Sequence, residues 1–324
     1  MRRREFIGIV GSAAAVWPFA VRAQQSATPV IGFLTTGSFD QSRDYIAAFH
    51  RGLAKTGNIE GRNFTVEYRW AEGQTEPLPA LAAELVSRRV AVIVTRFTPP
   101  TLAAKAATQT IPIIFTVGAD PVDLGLVESL AHPGGNATGV ASLNNSLTAK
   151  RLELLRELVP AAKSIGYLVN PSSPYTKSEM NVVQDAALAL GVQLLIVEAS
   201  SEREFDGAFK GLATVDAVLV SGDALFLRYE PEIIAWSNRV AIPAIYTYRF
   251  SVAAGGLMSY GTNPQDNAVW LGEYAGRILN GERPSNMPVR QNDHFYLIIN
   301  LRTAKAMGLT IPPTLLARAH EVIE

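Results

Sequence analysis

Two stretches of the chain share one pattern and together decide the fold: "TIPIIFT", Thr110 to Thr116, and "AIPAIYT", Ala241 to Thr247. Two more pairs match: "VIGFLT" at Val30 with "SIGYLV" at Ser164, and "AVIVT" at Ala91 with "AVLVS" at Ala217. The offsets are 164−30=134, 217−91=126 and 241−110=131 residues, and the pairs keep the same order. Such self-similarity predicts an internal duplication, and therefore two similar lobes.

Each half alternates short runs rich in Val and Ile with longer stretches of helical period. This pattern is typical of a parallel sheet covered by helices on both faces, so we predict an α/β fold of two doubly wound lobes joined by a hinge. The predicted strands are Val30 to Thr35, Phe64 to Trp70, Val90 to Thr95, Ile113 to Phe115, Ala137 to Ala141, Ile165 to Val169, Val192 to Glu198, Ala217 to Ser221, Ala244 to Tyr246, Leu257 to Tyr260, and a last one from Phe295.

The chain is expected to cross between the lobes three times: near Ser142 to Asn145, near Ser259 to Pro264, and before the last strand. We therefore expect lobe 1 to comprise residues 28–141 and 263–288, and lobe 2 to comprise residues 142–262 and 289–324. A helix from about Asn263 to Gly281 would then belong to the first lobe.

The first 23 residues are typical of an export signal. "MRRREF" is cationic, an apolar stretch of roughly 14 residues follows, and "VRA" ends on a small residue at Ala23. That stretch is shorter than the roughly 20 residues that a membrane-spanning helix needs. Arg3, Arg4 and Phe6 fit a twin-arginine signal, and an ordinary basic leader is the alternative. We expect cleavage near Ala23 and a soluble periplasmic protein.

Composition and motifs exclude several functional classes. The 29 basic residues balance the 29 acidic ones, so no net field attracts nucleic acid. The chain has no cysteine, which excludes disulfides, thiolate metal sites and cysteine nucleophiles. It lacks a glycine-rich phosphate loop, an HExxH pair and a GxSxG elbow. We therefore expect no metal, no cofactor and no enzymatic activity.

Ligands of open parallel sheets bind at the carboxyl ends of the strands, so two facing lobes would enclose a cleft lined by those loops. Strand-to-helix loops offer free N–H groups, hydroxyls and the positive end of a helix dipole, which suit an anion. The predicted ligand-binding residues are Thr35, Thr36, Gly37, Arg96, Phe97, Thr98, Val117, Gly118, Asp120, Asn144, Asn170, Ser172, Asp223, Tyr248 and Arg249.

Two arginines and two acids in this set have alternative roles. Arg96 and Arg249 can clamp a carboxylate through paired hydrogen bonds, or they can form ordinary ion pairs. Asp223 ends an apolar strand and can face a ligand ammonium, whereas Asp120 precedes Pro121 and can simply start a helix. The Thr and Ser hydroxyls can likewise cap helices instead of contacting ligand. Phe97 and Tyr248 can stack on an aromatic or apolar ligand.

Four long stretches resemble one family. They are "GLVESLAHPGGNATGV", "LLRELVPAAKSIGYLVNP", "AIPAIYTYRFSVAAGGLMSYG" and "LIINLRTAKAMGLTIPPTLLARAHEVIE". They resemble substrate-binding proteins of ABC transporters, specifically those described as tryptophan/tyrosine-binding, and the likeness runs from about Pro29 to the end. It implies a type I periplasmic-binding fold that closes on a ligand and delivers it to an inner-membrane ABC permease driven by a separate ATPase.

The resemblance leaves the ligand open. The loop "TRFTPP", Thr95 to Pro100, departs from the family by placing Arg96 and Phe97 where smaller residues leave room. We expect a small carboxylate-bearing solute, either an amino acid, aromatic ones included, or an organic acid, bound by a monomer. Two rival functions remain at this point. An exported isomerase-like enzyme would need paired acid and base groups, and a cytoplasmic ligand-sensing regulator would need a DNA-binding element and a basic patch.

Overall fold

The computed structural model describes residues 28–144, 146–173 and 176–324. The predicted export signal, residues 1–23, lies outside these residues. Strands and helices below are numbered in chain order.

The first sheet has six parallel strands in the order β2-β1-β3-β4-β5-β11. Its strands are β1 Val30–Thr35, β2 Thr65–Trp70, β3 Val92–Arg96, β4 Ile113–Val117, β5 Ala137–Ala141 and β11 Arg290–Gln291. Its helices are α1 Phe39–Lys55, α2 Leu78–Ser87, α3 Thr98–Ala107 and α10 Pro264–Leu279. Strands β3, β4 and β5 are buried along their whole length, because helices cover both faces of the sheet.

The second sheet has seven strands in the order β7-β6-β8-β9-β10-β12-β13, and β12 runs antiparallel to β10. Its strands are β6 Ser164–Val169, β7 Gln193–Glu198, β8 Ala217–Val220, β9 Ala244–Tyr246, β10 Met258–Gly261, β12 Tyr296–Asn300 and β13 Glu321–Ile323. Its helices are α4 Thr148–Leu158, α5 Thr176–Leu190, α6 Phe205–Leu212, α7 Ala224–Arg228, α8 Glu230–Val240, α9 Arg249–Ala253, α11 Leu301–Ala306 and α12 Pro313–Arg318.

The two lobes repeat one topology. Strands β1 to β5 lie in the order 2-1-3-4-5, and β6 to β10 repeat that order as 7-6-8-9-10. The three matched sequence pairs fall on equivalent strands: β1 with β6, β3 with β8 and β4 with β9. The predicted α/β fold of two doubly wound lobes is confirmed.

Two short edge strands, β11 and β13, were not predicted from the sequence. β11 pairs with β5 over only two residues, and β13 pairs with β12 beyond the last predicted strand. Strands this short carry no visible alternation of apolar and polar residues. Because β11 belongs to the first sheet, that sheet extends past residue 288, where we expected the first lobe to end. The lobe bounds otherwise stay a prediction.

Helix α10 joins the first lobe after the second crossing by packing on α1. A Cβ atom built on Gly52 would lie 2.0 Å from the Val269 carbonyl oxygen, and one built on Gly272 would lie 2.0 Å from the Phe49 carbonyl oxygen. No side chain fits at either position, so the two helix backbones are in direct contact. This contact attaches a segment from late in the chain to the first lobe.

Candidate interlobe ligand site

Two cavities lie between the lobes, where the carboxyl ends of both sets of parallel strands face each other. The larger, about 780 Å³, is lined mostly by polar groups, among them Thr36 of the first lobe and Asn170, Ser172, Asp223 and Arg228 of the second. The smaller, about 450 Å³, has a more apolar wall. Both volumes fall in the range of about 300 to 1,000 Å³ that small-molecule sites occupy.

The smaller cavity brings together aromatic rings and opposite charges. Tyr45, Arg96 and Phe97 come from the first lobe, and Glu230 and Phe250 come from the second. Tyr45 lies on α1, where the Ser38 side chain accepts the Gln41 N–H in a capping box that begins the helix. Three arginines and three acidic side chains also line this cavity, and Arg96 and Glu230 are the buried ones among them.

Arg96 is a buried cation, 8% exposed, at the end of β3. Its guanidinium carbon lies 4.4 Å from the centre of the Tyr45 ring and 4.6 Å from that of Phe97. Burial lowers the pKa of Arg96, and only Tyr45 and Tyr248 act to raise it. Within the described residues no carboxylate reaches ion-pair distance of this guanidinium. A buried charge without a counterion is costly, so the site is suited to an incoming anion.

Glu230 is a buried acid, 8% exposed, in the first turn of α8. The Ser251 hydroxyl donates a hydrogen bond to its carboxylate. Burial raises the pKa of Glu230 to about 7, and the Ser251 hydrogen bond only partly opposes this. No cation among the described residues forms an ion pair with it. Glu230 can therefore receive a ligand ammonium at neutral pH.

Phe97 lines both cavities and has an unusual backbone. Its φ is 77° and its ψ is 161°, a region that is essentially reserved for glycine. The Phe97 N–H donates to the Thr116 carbonyl at 2.9 Å, and the Thr101 hydroxyl donates to the Phe97 carbonyl at 2.8 Å. These two hydrogen bonds hold the strained residue at the carboxyl end of β3. The ring is half-buried and belongs to none of the hydrophobic core clusters.

Asp223 lines the larger cavity, as its position after β8 predicts, but its carboxylate also has local partners. It accepts the Leu225 N–H at 2.9 Å, which caps α7, and the Asn170 amide at 3.0 Å. Asn170 in turn accepts the Ser172 N–H at 3.0 Å. Asp223 and Asn170 therefore connect two loops of the second lobe, and both face the polar cavity.

Several buried hydroxyls at the strand ends have no hydrogen-bond partner among the described residues. They belong to Thr36, Thr98, Ser173 and Thr247. Thr36 and Ser173 line the larger cavity from opposite lobes. Thr35 differs, because its hydroxyl accepts the Gly37 N–H at 3.1 Å and so shapes the loop after β1. Gly37 itself lines the smaller cavity. Unpartnered buried hydroxyls facing a cavity are ready hydrogen-bond partners for a solute.

A pocket of about 30 Å³ lies behind Arg96 and Phe97, next to the crossings between lobes. Val117, Gly118, Asn144 and Tyr248 line it. Asn144 is already engaged, because its side chain accepts the Thr262 N–H at 3.0 Å and donates to the Thr262 hydroxyl at 3.1 Å. The loops after the equivalent strands β4 and β9 therefore meet beside the crossings and not in the two large cavities.

A buried polar network lies under the first two crossings. Arg151 donates to the backbone carbonyls of Asn144 and Tyr260, and Glu179 accepts hydrogen bonds from Tyr167 and Thr148. Burial raises the pKa of Glu179 to about 7, and the charge of Arg151 acts in the opposite direction. Sequence reasoning missed this network, since its members lie on separate helices and strands.

Arg249 and Asp120, two of the predicted site residues, line none of the three spaces described above. Arg249 forms a bidentate pair with Glu321 of β13, with the Nε atom 2.6 Å from a carboxylate oxygen, and its side chain is 53% exposed. Asp120 is exposed and accepts the Val122 N–H at 2.8 Å. Turns follow Asp120, so the alternative that it starts a helix is wrong. Arg249 thus forms an ordinary ion pair, which was its alternative role, and Asp120 stabilises a local turn.

The sequence analysis also missed residues that line the cavities. Tyr45, Glu230, Arg228 and Phe250 lie within helices or in their first turns, not in the loops directly after strands. Glu230 before Pro231 has the pattern of an ordinary helix start. Position alone gave no signal for these residues.

The described part of the chain has neither a cluster of metal ligands nor a membrane-spanning helix. No group of three or more His, Asp or Glu side chains there is placed to hold a metal ion. None of the helices in the described ranges combines the length and the apolar character needed to span a bilayer.

Comparison with known proteins identifies the relatives of this chain. A family model described as ABC transporter substrate binding protein matches residues 29–323. A tyrosine-binding protein of Clostridioides difficile (strain R20291) is 31% identical over 262 residues, which cover 81% of this chain and 75% of that relative.

Two solved structures share the fold. One, from Streptococcus pneumoniae in complex with L-Trp, has a TM-score of 0.84 at 26% identity and covers 92% of this chain and 100% of that chain. The other is the ligand-free, open structure of a substrate-binding protein with adhesive properties from Clostridium difficile. It has a TM-score of 0.65 at 28% identity, with 91% and 99% coverage. The overall superposition is thus closer with the L-Trp complex than with the ligand-free, open structure.

The matched family model spans almost the whole described chain, and the fold is that of type I periplasmic binding proteins. The chain belongs to the family of ABC transporter substrate binding proteins.

Proposed function

We propose that this protein is the extracytoplasmic, monomeric solute-binding component of an ABC importer. It captures a small carboxylate-bearing solute between the lobes and delivers it to an inner-membrane permease that a separate ATPase drives. The observation that carries the proposal is the buried Arg96 guanidinium, which faces the smaller cavity without a carboxylate partner among the described residues. A bidentate pair with a ligand carboxylate supplies the missing counterion.

Glu230 extends the proposal to the amino group of the solute. It lines the same cavity as Arg96 but belongs to the other lobe, so a zwitterion can contact both lobes at once. Tyr45, Phe97 and Phe250 provide rings on which an aromatic side chain can stack. The names of two relatives, one tyrosine-binding and one solved with L-Trp, support an aromatic amino acid as the solute.

Ligand contact with both lobes also explains how binding favours closure. A ligand shifts the equilibrium between open and closed forms only through contacts that differ between them. Arg96 and Glu230 lie on opposite lobes, so a solute paired with both gains its second contact only when the lobes close. The closed form is then the one that the permease recognises.

Calorimetric titration of the mature protein tests the proposal. The panel comprises L-tyrosine, L-tryptophan, L-phenylalanine and phenylacetate, and we expect binding of at least one aromatic amino acid. Arg96→Gln should weaken that binding at least 100-fold, because about 3 to 5 kcal/mol is typical when one partner of a buried ion pair is removed. Arg249→Gln is the matched control, since Arg249 pairs with Glu321 instead, and should bind as the wild type does.

Two outcomes would overturn the proposal. Failure of the wild-type protein to bind any member of the panel would remove the solute class, and unchanged affinity of the Arg96 variant would remove the role of Arg96. Export is tested separately by cell fractionation, in which recovery of the protein from the cytoplasm alone would contradict a periplasmic location.

A further inference from the structure

We propose that the side chain of Phe97 is a partition that sets which carboxylates this protein accepts. The ring closes the smaller cavity off from the larger one, so the protein selects a compact solute with a single ring-sized body. This inference rests on the proposed function, because it takes the ligand carboxylate to be held by Arg96.

The Phe97 ring borders three spaces between the lobes. Phe97 lines the larger cavity, the smaller cavity and the pocket behind them. Among the described residues, Ala224 and Arg228 of the opposite lobe are the others that line both large cavities. On the first-lobe side, Phe97 is thus the described residue whose side chain borders both spaces. Without it, the space open to a ligand at Arg96 would more than double.

The two spaces differ in chemistry, so the partition separates unlike surfaces. Tyr45, Phe250 and Pro264 contribute to the wall of the smaller cavity. The larger cavity presents side chains such as Gln74 and Ser201. An apolar body with its carboxylate at Arg96 suits the first space, and a polar extension of that body would have to enter the second.

The backbone of Phe97 has a conformation that is unusual for a residue with a side chain. A non-glycine residue in this φ/ψ region is strained, and such residues persist where the surrounding structure over-determines them. The hydrophobic core does not need the ring, because Phe97 is half-buried and lies outside the core clusters. What the ring does contact is the Arg96 guanidinium, at 4.6 Å from the ring centre. The strained backbone therefore belongs to a residue whose ring lines the cavity and contacts Arg96.

Three variants of this site separate the role of the ring from the role of the backbone. Phe97→Ala removes the ring and keeps an unfavourable backbone, whereas Phe97→Gly removes the ring and fits the backbone without strain. We therefore expect both variants to open the partition, with Phe97→Gly unfolding at a higher temperature than Phe97→Ala. Phe97→Leu keeps a bulky group and should retain most of the partition.

The probes are L-tyrosine and the dipeptide glycyl-L-tyrosine, which share the carboxylate and the ring and differ by a polar glycyl unit. Calorimetric titration should give the wild type at least tenfold tighter binding of L-tyrosine. That ratio should fall to about threefold or less in Phe97→Gly and Phe97→Ala, and it should stay near the wild-type value in Phe97→Leu.

The outcomes distinguish this inference from the proposed function. Suppose that the wild type binds L-tyrosine and that Arg96→Gln weakens this binding. If the ratio of the two affinities is then unchanged in Phe97→Ala and Phe97→Gly, the partition is overturned and the proposed function stands. If the wild type binds the dipeptide as tightly as L-tyrosine, the partition is again overturned. If the wild type binds neither probe, the compact-ligand inference falls, whereas the proposed function falls only if L-tryptophan, L-phenylalanine and phenylacetate also fail to bind.

Discussion

Asn144 and Thr262 lie 118 residues apart in sequence, yet hydrogen bonds of the Asn144 side chain join them across two of the three crossings between the lobes. The Thr262 N–H donates to the Asn144 Oδ1 atom at 3.0 Å, and the Asn144 Nδ2 atom donates to the Thr262 hydroxyl at 3.1 Å. Both residues are buried, 3% and 2% exposed. The first and second crossings are therefore fastened together at the hinge.

Asn144→Ala should loosen this hinge. It leaves the Thr262 N–H and hydroxyl buried without a partner, at a cost of about 1 to 3 kcal/mol for each unsatisfied group. We expect a fall of several degrees in the midpoint of thermal unfolding, followed by calorimetry, together with a larger radius of gyration in solution scattering without ligand. Ser146→Ala alters a neighbouring exposed residue and is the control. A variant as stable and compact as the wild type would show that the crossings are held otherwise.

Gly52→Ala should disrupt the contact between α1 and α10. The added Cβ would lie 2.0 Å from the Val269 carbonyl oxygen, so the helices must separate. Overpacking of this kind typically costs about 1 to 3 kcal/mol, and we expect the upper end because backbone atoms cannot yield as side chains do. The measurement is the free energy of unfolding in urea.

Gly207→Ala is the matched control for that experiment. Gly207 lies in helix α6 with no atom within 4 Å of a built Cβ. Alanine favours a helix over glycine by about 0.5 to 1 kcal/mol, so this variant should be more stable than the wild type. Equal behaviour of the Gly52 and Gly207 variants would contradict a specific contact between α1 and α10.

Glu179 should make stability depend on pH. Burial raises its pKa to about 7 in the folded protein, whereas an unfolded glutamate titrates near pH 4.3. Between these values the folded state keeps a proton that the unfolded state releases, so stability falls as pH rises from about 4.3 to about 7. The full effect is about 4 kcal/mol.

Glu179→Gln removes this titration and should flatten the decline of the unfolding midpoint between pH 5 and pH 8. The decline should not vanish, because Glu230 also titrates near pH 7 and contributes in the same direction. Glu153→Gln, an exposed change on α4, should follow the wild-type curve. A Glu179 variant with the full wild-type slope would exclude this residue as the source.

Glu230 should distinguish ligands with an amino group from those without one. We expect the wild type to prefer L-phenylalanine to 3-phenylpropionate, which lacks the ammonium, and Glu230→Gln should lose most of that preference. Because the pKa of Glu230 is about 7, the preference should also weaken as pH falls from 8 to 5.5 and the carboxylate takes up a proton. Calorimetric titration of both compounds at both pH values measures this. A preference retained in the variant would place the ammonium elsewhere.

The sequence by itself determined the fold and the loops that face the cleft. Strand periodicity is a local property, and β1, β5 and β9 begin and end at the predicted residues. Because the duplication makes strands of the two lobes equivalent, it also predicts that the loops after equivalent strands lie opposite each other. Thr36 and Asn170 both line the larger cavity, and so do Phe97 and Asp223. These features follow from chain order and the carboxyl-end rule for parallel sheets, and neither requires knowledge of a single side-chain contact.

Only the tertiary structure decided which of these side chains can contact a ligand. In the sequence Arg96 and Arg249 are equivalent, isolated arginines after apolar strands. Folding brings Glu321, 72 residues further on, to Arg249, and it brings aromatic rings to Arg96 instead of an acid. Glu230 enters the cavity from the start of a helix, where the sequence gives no sign of a ligand site. The physical reason is that a charge is paired or unpaired through groups distant along the chain, and local pattern carries no information about them.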